Sequence, residues 1–593
     1  MKTGRRGVAE APLSAAPQHD PEKQAAEEAF RTIDRLFHAR MGRAALGLSP
    51  LALGLAWADW AAHLAISPGK QAELAWKFAR KWQRLTAATS GGDGAGAIAP
   101  LKQDRRFLDP AWQAQPFAAW SQGFLLAQQW WHNATTDVPG VERRHERLVE
   151  FYARQWLDMV APSNFPLTNP QVLARTQAES GQNLIRGAGF WLEDMASSLT
   201  GQHPAPQRKL GRDLAATPGQ VVYRNRLIEL IQYSPTTAQV HPLPLLIVPA
   251  WIMKYYILDL SEQESLIRWL VGQGFTVFCI SWKNPGPEDR DLGFEDYRKL
   301  GVMAALDAVS AITGAAQVHG LGYCLGGTLL TVAAAAMARE GDRRLASLSL
   351  LAAQVDFTEA GELTLFTSEA QLALLDDMMW LDGYLDKTAM AGTFSLLKSQ
   401  DLIWSRMVRE YLLGERDGET DLGDWSRDAT RMPWRMHSEY LRRMFLDNDL
   451  AEGRMEAGGA PVFLQDIDLP VFAVATEADH IAPWHSVFKL TWALPGEVSF
   501  ALVSGGHNTG IVAAPGNPRA SFRLMQHRPG DHHPAAEDWA AATPRQTGSW
   551  WAPWADWLVR QDGGAPIAPP PMGRADLGYA PLDPAPGRYV RQE

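Results

Sequence analysis

The stretch QVHGLGYCLGGTLLTVAAAAMARE, residues 317–340, decides the fold of this chain. It begins with a short strand-like piece at residues 317–319, passes through glycines to Cys324 and then becomes an alanine-rich helix. The order of small residue, any residue, nucleophile, any residue and small residue is typical of a nucleophile elbow, and Gly322 and Gly326 hold the small positions. Glycine leaves the room that a cramped strand-to-helix turn needs. The stretch therefore predicts a nucleophile at Cys324.

The thiol of Cys324 has two interpretations. A helix that begins just after it would place its positive end beside the sulfur and favour the thiolate form. The alternative is a buried cysteine in an ordinary glycine-rich turn. Cys279 lies inside a continuous apolar run, which predicts a buried, inert thiol. Two cysteines imply no disulfide framework, and a reducing compartment fits them.

The composition restricts the classes of function. The 593 residues are enough for two domains and a tail, and 46% of them are hydrophobic. The 56 basic and 66 acidic residues give a formal charge of −10 with no dominant basic block, so no charge pattern favours nucleic-acid binding. The polar N-terminus lacks the apolar run of a secretory signal, and we expect a cytoplasmic protein.

One N-terminal stretch is the nearest approach to a membrane segment. Residues 44–66 are apolar, but Asp59 lies in the middle and the tryptophans are not at the ends. Because spanning helices rarely carry a central carboxylate, we predict a buried or amphipathic helix and no transmembrane segment. An interfacial helix on an apolar surface is the alternative.

Short apolar runs alternate with helical patterns in the second half of the chain. The runs are residues 244–252, 276–282, 345–353 and 469–476. Such runs with helices between them predict a parallel sheet that is covered on both faces. The rhythm breaks over residues 356–466, which predicts a mainly helical cap inserted above the carboxyl ends of the strands.

These patterns divide the chain into parts. We predict a disordered tail at 1–25, a helical N-terminal domain at 26–200 with a flexible linker at 91–100, a catalytic domain at 201–562 with its cap insertion at 356–466, and a Pro-rich tail at 563–593.

An acid and a base follow Cys324 in the chain order that this kind of site requires. Asp479 comes directly after the run at residues 469–476, and His507 lies in a glycine-rich loop after the next apolar run. In such a triad the histidine takes the thiol proton, and the aspartate fixes its tautomer. The rival acid is Glu477, and the rival bases are His480 and His485.

Two backbone N–H groups complete the predicted site. One belongs to Leu325, after the nucleophile, and the other to Ile252, in the turn after the run that ends there. We expect both to bind the oxyanion that forms when a thiolate attacks an acyl group.

A cysteine at this position favours one kind of chemistry. A thiolate that attacks a thioester makes another thioester, which keeps the acyl group activated for transfer, whereas a serine would make an oxygen ester. The sequence therefore favours acyl transfer from a thioester donor over hydrolysis.

Several motifs resemble those of polyhydroxyalkanoate synthase, the poly-3-hydroxybutyrate polymerase. They are GYCLGGT, KYYILDL, ISWKNPG, DFTEAG, YLRRMFLDN, ADHIAPW and PAPGRYV, preceded by DRRFLDPAW and SNFPLTNP. They cover the chain from about residue 104 onward in family order. The length resembles that of the single-subunit class I enzymes.

The resemblance implies an α/β-hydrolase fold with a mainly helical cap insertion, preceded by a helical N-terminal domain. It implies (R)-3-hydroxyacyl-CoA substrates, CoA release, a polyester product, a homodimer and attachment to cytoplasmic granules. No cofactor is implied, since the CoA thioester is the substrate. It carries over Cys324 as nucleophile, His507 as base and Asp479 as its acid partner. The alternatives are a thioesterase or depolymerase of the same fold, or a non-catalytic granule scaffold.

The sequence also departs from the family at some positions. Met253 precedes KYYILDL where the family has asparagine, and the cap motif WSRDATR carries Ser426 and Arg431 in place of two asparagines. Outside the family motifs, a cluster of histidines and an aspartate at residues 527–533 lacks metal-ligand spacing, so we predict a solvated loop and no metal site.

Overall fold

In the computed structural model of the chain, residues 21–45, 47–90, 97–101, 104–200, 208–416, 418 and 420–593 are described. Residues 1–20 of the predicted tail, residues 91–96 of the predicted linker and the predicted domain boundary at residue 201 lie outside the described residues.

Helices make up the N-terminal part. They are α1 (Pro21–Ala44), α2 (Pro50–Ala65), α3 (Pro68–Ser90), α4 (Phe117–Thr135), α5 (Arg143–Met159), α6 (Pro170–Ala178) and α7 (Gln182–Thr200). The first helix thus begins inside the stretch predicted as tail. Helix α2 packs on α5, where the rings of Trp57 and Trp156 stack 5.5 Å apart. None of the described helices combines the length and the apolar character needed to span a bilayer.

A sheet with covering helices follows. Its elements in chain order are β1 (Gly219–Arg224), β2 (Ile228–Tyr233), β3 (Leu245–Val248), α8 (Leu266–Gly272), β4 (Val277–Trp282), α9 (Phe294–Asp296), α10 (Ala304–Thr313), β5 (Val318–Tyr323), α11 (Leu325–Glu340) and β6 (Leu345–Leu351). Each of the four predicted apolar runs coincides with a strand or contains one, the fourth being the first strand after the cap.

The predicted cap separates the two halves of the sheet. It contains α12 (Glu369–Asp382), β7 (Tyr384–Leu385), α13 (Lys387–Leu397), α14 (Asp421–Arg427), β8 (Met432–Pro433), α15 (Trp434–Tyr440), β9 (Glu456–Ala457) and β10 (Ala460–Pro461). Helix α1 packs on α12, so N-terminal and cap helices lie side by side.

The chain then returns to the sheet and ends on it. The last elements are β11 (Val471–Thr476), α16 (Trp484–Phe488), α17 (Leu490–Ala493), β12 (Val498–Val503), β13 (Ser521–His527), α18 (Ala536–Ala542), β14 (Gln546–Thr547), α19 (Trp551–Gln561) and β15 (Asp583–Pro584).

The described strands pair in the order β14-β13-β12-β11-β6-β5-β3-β4-β2-β1-β15. The central ones from β4 to β12 are parallel, and the outer ones are antiparallel. Every position of β3, β5 and β11 is buried, as expected for strands covered on both faces. The predicted α/β-hydrolase fold with a helical cap is confirmed.

The strand before Cys324 is longer than predicted. The sequence predicted strand only at residues 317–319, but β5 continues through the glycines to Tyr323. The glycines do not break the strand because they face the neighbouring helix, where larger side chains would collide.

The Pro-rich segment at residues 563–593 lies along the sheet edge. Strand β15 pairs with β1, and the fully buried carboxylate of Glu229 accepts hydrogen bonds from the backbone N–H groups of Arg588 and Tyr589, both at 2.9 Å. Because an unpaired buried carboxylate is costly, these contacts tie the segment firmly to the domain.

Candidate active site

Cys324 lies on a strained turn between β5 and α11. Its φ is 52° and its ψ is −123°, a region that residues with a side chain rarely adopt. Its backbone N–H donates to the carbonyl of Leu351 at 2.8 Å, while the N–H of Gly327 donates to the Cys324 carbonyl at 2.9 Å. These bonds hold the turn, so that the sulfur stands at the carboxyl edge of the sheet.

Steric contacts explain why both small positions of the motif are glycine. A Cβ on Gly322 would lie 2.3 Å from the Cα of Gly327, and a Cβ on Gly326 would lie 2.1 Å from the carbonyl oxygen of Val248. Neither position can hold a side chain unless the backbone moves. The start of α11 therefore rests directly against the ends of β3 and β5.

Asp479 and His507 meet in the loops after β11 and β12. The Nδ1 atom of His507 lies 2.7 Å from Oδ2 of Asp479. The other oxygen, Oδ1, accepts from the N–H groups of Ile481 and Ala482, each at 2.8 Å. Burial opposes the charge, but the positive charge of His507 and these hydrogen bonds hold the pKa of Asp479 below its ordinary value. The carboxylate is therefore ionised and fixed in orientation.

The imidazole of His507 lies beside the side chains of Asp479 and Cys324. Its buried position disfavours the charged form, but the charges of Asp479 and of Cys324 outweigh burial and raise its pKa to about 10. The hydrogen bond to Asp479 acts in the same direction. The ring also packs against Tyr323, with 5.6 Å between centroids. Near neutral pH the ring is therefore an imidazolium beside the sulfur.

Tryptophans of the C-terminal helix support the His507 loop. The ring N–H groups of Trp550 and Trp551 donate to the carbonyls of Gly510 and Ile511, at 3.1 and 2.9 Å. Both rings are about 1% exposed, so α19 is anchored in the core.

The rival residues have other partners. Glu477 forms ion pairs with Arg523 and Arg545, and His485 lies 2.7 Å from Glu537. His480 lines a second cavity between the N-terminal helices and the cap, where burial and the charge of Lys398 lower its pKa to about 4. The structure thus places Asp479 and His507 with Cys324, and each rival residue makes contacts of its own.

The sulfur opens onto an apolar cavity of about 100 Å³ beneath the cap. The cavity is lined by the predicted oxyanion residues Ile252 and Leu325, by cap side chains and by two N-terminal residues, Gly47 and Leu48. As the first residue of α11, Leu325 has a backbone N–H without an acceptor in its own helix. The predicted nucleophile Cys324 and the predicted oxyanion residues Leu325 and Ile252 therefore all line the same cavity.

Sequence reasoning missed the N-terminal and cap contributions to this cavity. Gln371 of α12 holds the N-terminal loop in place, since its amide accepts from the N–H of Ser49 at 2.7 Å and donates to the carbonyl of Gly47 at 2.6 Å. No local sequence pattern predicts this contact, because its partners lie more than 300 residues apart in the chain.

The departures from the family motifs lie at the joint between the cap and the C-terminal segment. Met253 pairs with Ala429 in a β-bridge, and Ser426 donates to the carbonyl of Leu422 at 2.8 Å. The N–H of Arg431 donates to Asn284 at 2.9 Å. Within the described part of the chain, none of the three departing residues lines the cavity.

The predicted solvated loop at residues 527–533 contributes no residue to the lining of this cavity. The prediction of a solvated loop is wrong at His527, which ends β13 and is 5% exposed, with its ring centroid 4.3 Å from that of His533. Within the described ranges, no three His, Cys, Asp or Glu side chains are grouped as metal ligands.

Three family models match the chain. Residues 103–270 match the N-terminus of poly-beta-hydroxybutyrate polymerase (PhaC), and residues 28–70 match the model described as poly-beta-hydroxybutyrate polymerase N terminal. Residues 244–514 match the alpha/beta hydrolase fold. Together the models cover both the helical N-terminal part and the sheet.

Curated relatives match nearly the whole chain. The poly(3-hydroxyalkanoate) polymerase of Methylorubrum extorquens is 42% identical over 88% of this chain and 86% of that protein. The poly(3-hydroxyalkanoate) polymerase subunit PhaC of Rhizobium meliloti is 37% identical over 88% and 85%, and that of Cupriavidus necator is 33% identical over 91% of each chain.

Proposed function

This chain belongs to the family of poly(3-hydroxyalkanoate) polymerases, and from that membership we propose that it transfers (R)-3-hydroxyacyl groups from CoA thioesters to a growing polyester, with release of CoA. The observation that carries the mechanism is the position of Cys324, which faces the His507–Asp479 pair at the base of an apolar cavity. The three residues supply a nucleophile, a proton carrier and a fixed counter-charge.

In the first step the thiolate of Cys324 attacks the thioester carbonyl. The new bond joins carbon to the Cys324 sulfur, the bond from carbon to the CoA sulfur breaks, and the imidazolium of His507 gives its proton to the leaving thiolate. The N–H groups of Leu325 and Ile252 bind the oxyanion of the intermediate. The products are free CoA and an acyl-Cys324 thioester.

Acylation changes what His507 can do. The charge of Cys324 is one of the causes that raise the pKa of His507, and that charge disappears once the sulfur is acylated. The ring, which has given its proton to the leaving CoA, is then neutral and lies beside a reactive thioester. It can accept the proton of the 3-hydroxyl group of an incoming unit, whose oxygen attacks the acyl carbon while Cys324 leaves as thiolate. An ester bond has formed and the imidazolium is restored.

The apolar cavity favours polymerisation over hydrolysis. Its lining consists mostly of aliphatic and aromatic side chains, which disfavour water and suit an acyl chain. A thioester intermediate also keeps the acyl group activated until the hydroxyl arrives. Both features support transfer to a hydroxyl group of a second substrate.

The test is CoA release from (R)-3-hydroxybutyryl-CoA, with analysis of the product. We expect insoluble polyester from the wild type and a loss of CoA release of at least about 1,000-fold in Cys324→Ala, because no other group replaces the nucleophile. The matched control is Cys279→Ala, which removes the buried thiol of β4 and should leave the rate within a few-fold.

Other outcomes would favour the alternatives. Free 3-hydroxybutyrate without polymer would indicate a thioesterase. Absence of CoA release from this donor and from longer ones would indicate a non-catalytic scaffold. CoA release that persists in Cys324→Ala would exclude the covalent mechanism.

We further propose that the protein works as a homodimer on the surface of polyester granules. Family membership supports the dimer, and exposed apolar side chains on the N-terminal helices support attachment to an apolar surface. Sedimentation of the purified protein without polymer would test the dimer, and co-sedimentation with polymer would test the attachment to granules.

A further inference from the structure

The cavity at Cys324 contains few polar side chains besides the sulfur. They are Thr367, Gln371, Thr393, His437 and Tyr440. The two threonines and the glutamine already have partners. Thr367 donates to the carbonyl of Thr364 at 2.9 Å, Thr393 donates to that of Ala389 at 3.1 Å, and Gln371 holds the N-terminal loop.

His437 differs from these residues. Its side chain is 3% exposed, and its Nδ1 atom has no hydrogen-bond partner among the described residues. A buried polar atom left without a partner costs about 1–3 kcal/mol. Because His437 lines the cavity that also contains the nucleophile, a ligand in that cavity is the partner that can supply the missing hydrogen bond.

The helix that carries His437 presents it to the cavity by regular spacing. His437, Tyr440 and Leu441 are three and four positions apart, so they share one face, and all three line the cavity. The ring of Tyr440 lies 6.4 Å from that of His437. The remaining neighbours in the lining are mostly apolar, so a substrate has few other polar atoms to meet.

Burial also fixes the charge of this imidazole. It lowers the pKa of His437 to about 3, so the ring is neutral throughout the physiological range. A neutral imidazole has one N–H donor and one acceptor nitrogen. It can therefore accept a hydrogen bond from a hydroxyl group or donate one to an ester oxygen, and it adds no charge that would repel or trap a proton in transit.

We propose that Nδ1 of His437 binds the 3-hydroxyl oxygen of the hydroxyacyl unit carried on Cys324, and that it thereby selects hydroxyacyl groups over acyl groups without the hydroxyl. This proposal rests on the proposed function. The hydroxyl stands two carbons from the thioester carbonyl, so it stays inside a cavity of about 100 Å³ that has His437 in its wall. A site that hydrogen-bonds a substrate hydroxyl discriminates strongly against the analogue that lacks it.

The experiment measures the burst of CoA released when Cys324 is acylated, with (R)-3-hydroxybutyryl-CoA and with butyryl-CoA. We expect the wild type to prefer the hydroxyacyl donor. His437→Leu should lower the ratio of the two acylation rates at least tenfold, mainly by slowing the hydroxyacyl donor. His437→Asn, whose amide overlays Nδ1, should retain most of the preference. His437→Phe fills the ring volume and serves as the second apolar variant in case leucine impairs folding.

Each further outcome has a defined meaning. Equal slowing with both donors in His437→Leu and His437→Phe would overturn the proposal and leave His437 a packing residue. Loss of the preference in Tyr440→Phe, with the ratio intact in both apolar variants, would overturn it in favour of the phenol. Absence of a burst from the wild type with either donor would instead refute the proposed function, and this proposal with it.

Discussion

At the scale of single residues, the main property of the site is that neighbouring charges keep His507 protonated. The charges of Asp479 and Cys324 together outweigh burial and raise the pKa of His507 to about 10, so the imidazolium is the stable form near neutral pH. In the proposed mechanism, the proton that the leaving CoA thiolate needs is thus already in place when a substrate binds. The same mechanism requires the ring to act as a base only after it has given up this proton, and we therefore expect the two half-reactions to follow in that order.

Asp479→Asn should lower both the pKa of His507 and the rate. The amide removes the larger of the two charges that raise this pKa, so it should fall well below about 10. CoA release should fall by about 10³–10⁴-fold, since the ring also loses the acceptor that fixes its tautomer. NMR titration of the labelled imidazole and CoA release measure the two effects.

The neighbouring carboxylate provides the control for this change. Glu477→Gln removes a charge from the same loop, but Glu477 pairs with Arg523 and Arg545 instead of the ring. Glu477→Gln should leave the pKa of His507 and the rate of CoA release nearly unchanged. An unchanged His507 pKa in Asp479→Asn would contradict the electrostatic account of the site.

The raised pKa of His507 also gives stability a pH dependence of known sign. Protonation of the folded ring is favoured relative to an unfolded chain, whose histidine has a pKa of about 6.5. The stabilisation is therefore complete below pH ~6.5 and is lost as the pH rises through about 10. Removal of Asp479 should reduce this alkaline loss.

At the scale of elements, the elbow depends on how closely α11 approaches the sheet. The helix starts against the last carbonyl groups of β3, a contact that leaves no room for a side chain at Gly326. The closeness places the N-terminal end of α11 and the sulfur at the same point. The close approach of α11 to the sheet thus explains both where the Cys324 sulfur lies and why it lies beside the positive end of a helix.

Gly326→Ala should therefore destabilise the protein and impair catalysis together. The added Cβ would lie 2.1 Å from the carbonyl oxygen of Val248 and 2.6 Å from that of Pro249, so the backbone must shift. We expect a destabilisation of about 3 kcal/mol and a large loss of CoA release. Thermal unfolding and the CoA assay measure them.

The matched control is a glycine with free space around it. At Gly272, the last residue of α8, no atom lies within 4 Å of an added Cβ. Gly272→Ala should leave the melting temperature unchanged or slightly higher, because alanine favours helix. Equal melting temperatures for the two variants would show that the contact at Val248 is not tight.

The elements were largely predictable because their signals are local. The elbow motif, the apolar runs and the loops after them identified Cys324, Asp479 and His507 as candidates, and the structure brings these residues together. The strand before Cys324 was predicted too short, because glycines usually end a strand and here serve close packing. His437 carried no signal of its own: what distinguishes it is a missing partner, which only a folded structure reveals.

At the scale of the whole molecule, the N-terminal helices contact the cap on one side and expose apolar side chains on another. Leu48 lines the active-site cavity, whereas Trp76, Phe78 and Trp82 of α3 are each more than half exposed. The sequence could not predict the first contact, since residues far apart in the chain meet there. The exposed rings form the surface that we propose for the granule.

Charges on α3 should therefore release the protein from granules. In Trp76→Glu combined with Trp82→Glu, two carboxylates replace apolar rings that would contact polymer, so the granule-bound fraction should fall several-fold. CoA release in solution should persist, since neither ring lines the cavity in the described part of the chain. Fractionation of polymer-forming cells measures the bound fraction.

An equal number of charges at the opposite end of the chain is the control. Leu577 and Leu582 of the C-terminal segment are each 50% exposed, and Leu577→Glu combined with Leu582→Glu should leave granule binding intact. If both double variants were released from granules, the cause would be the change in net charge. If neither were released, the α3 surface would be excluded as the granule contact.

The two cysteines have a practical consequence for experiments on the native protein. Cys279 is fully buried in β4, and burial raises its thiol pKa well above the ordinary value, so it resists alkylation. Cys324 opens onto a cavity. A small maleimide should therefore attach one reporter per chain without any engineered site, and the labelled fraction would count the molecules whose nucleophile is free.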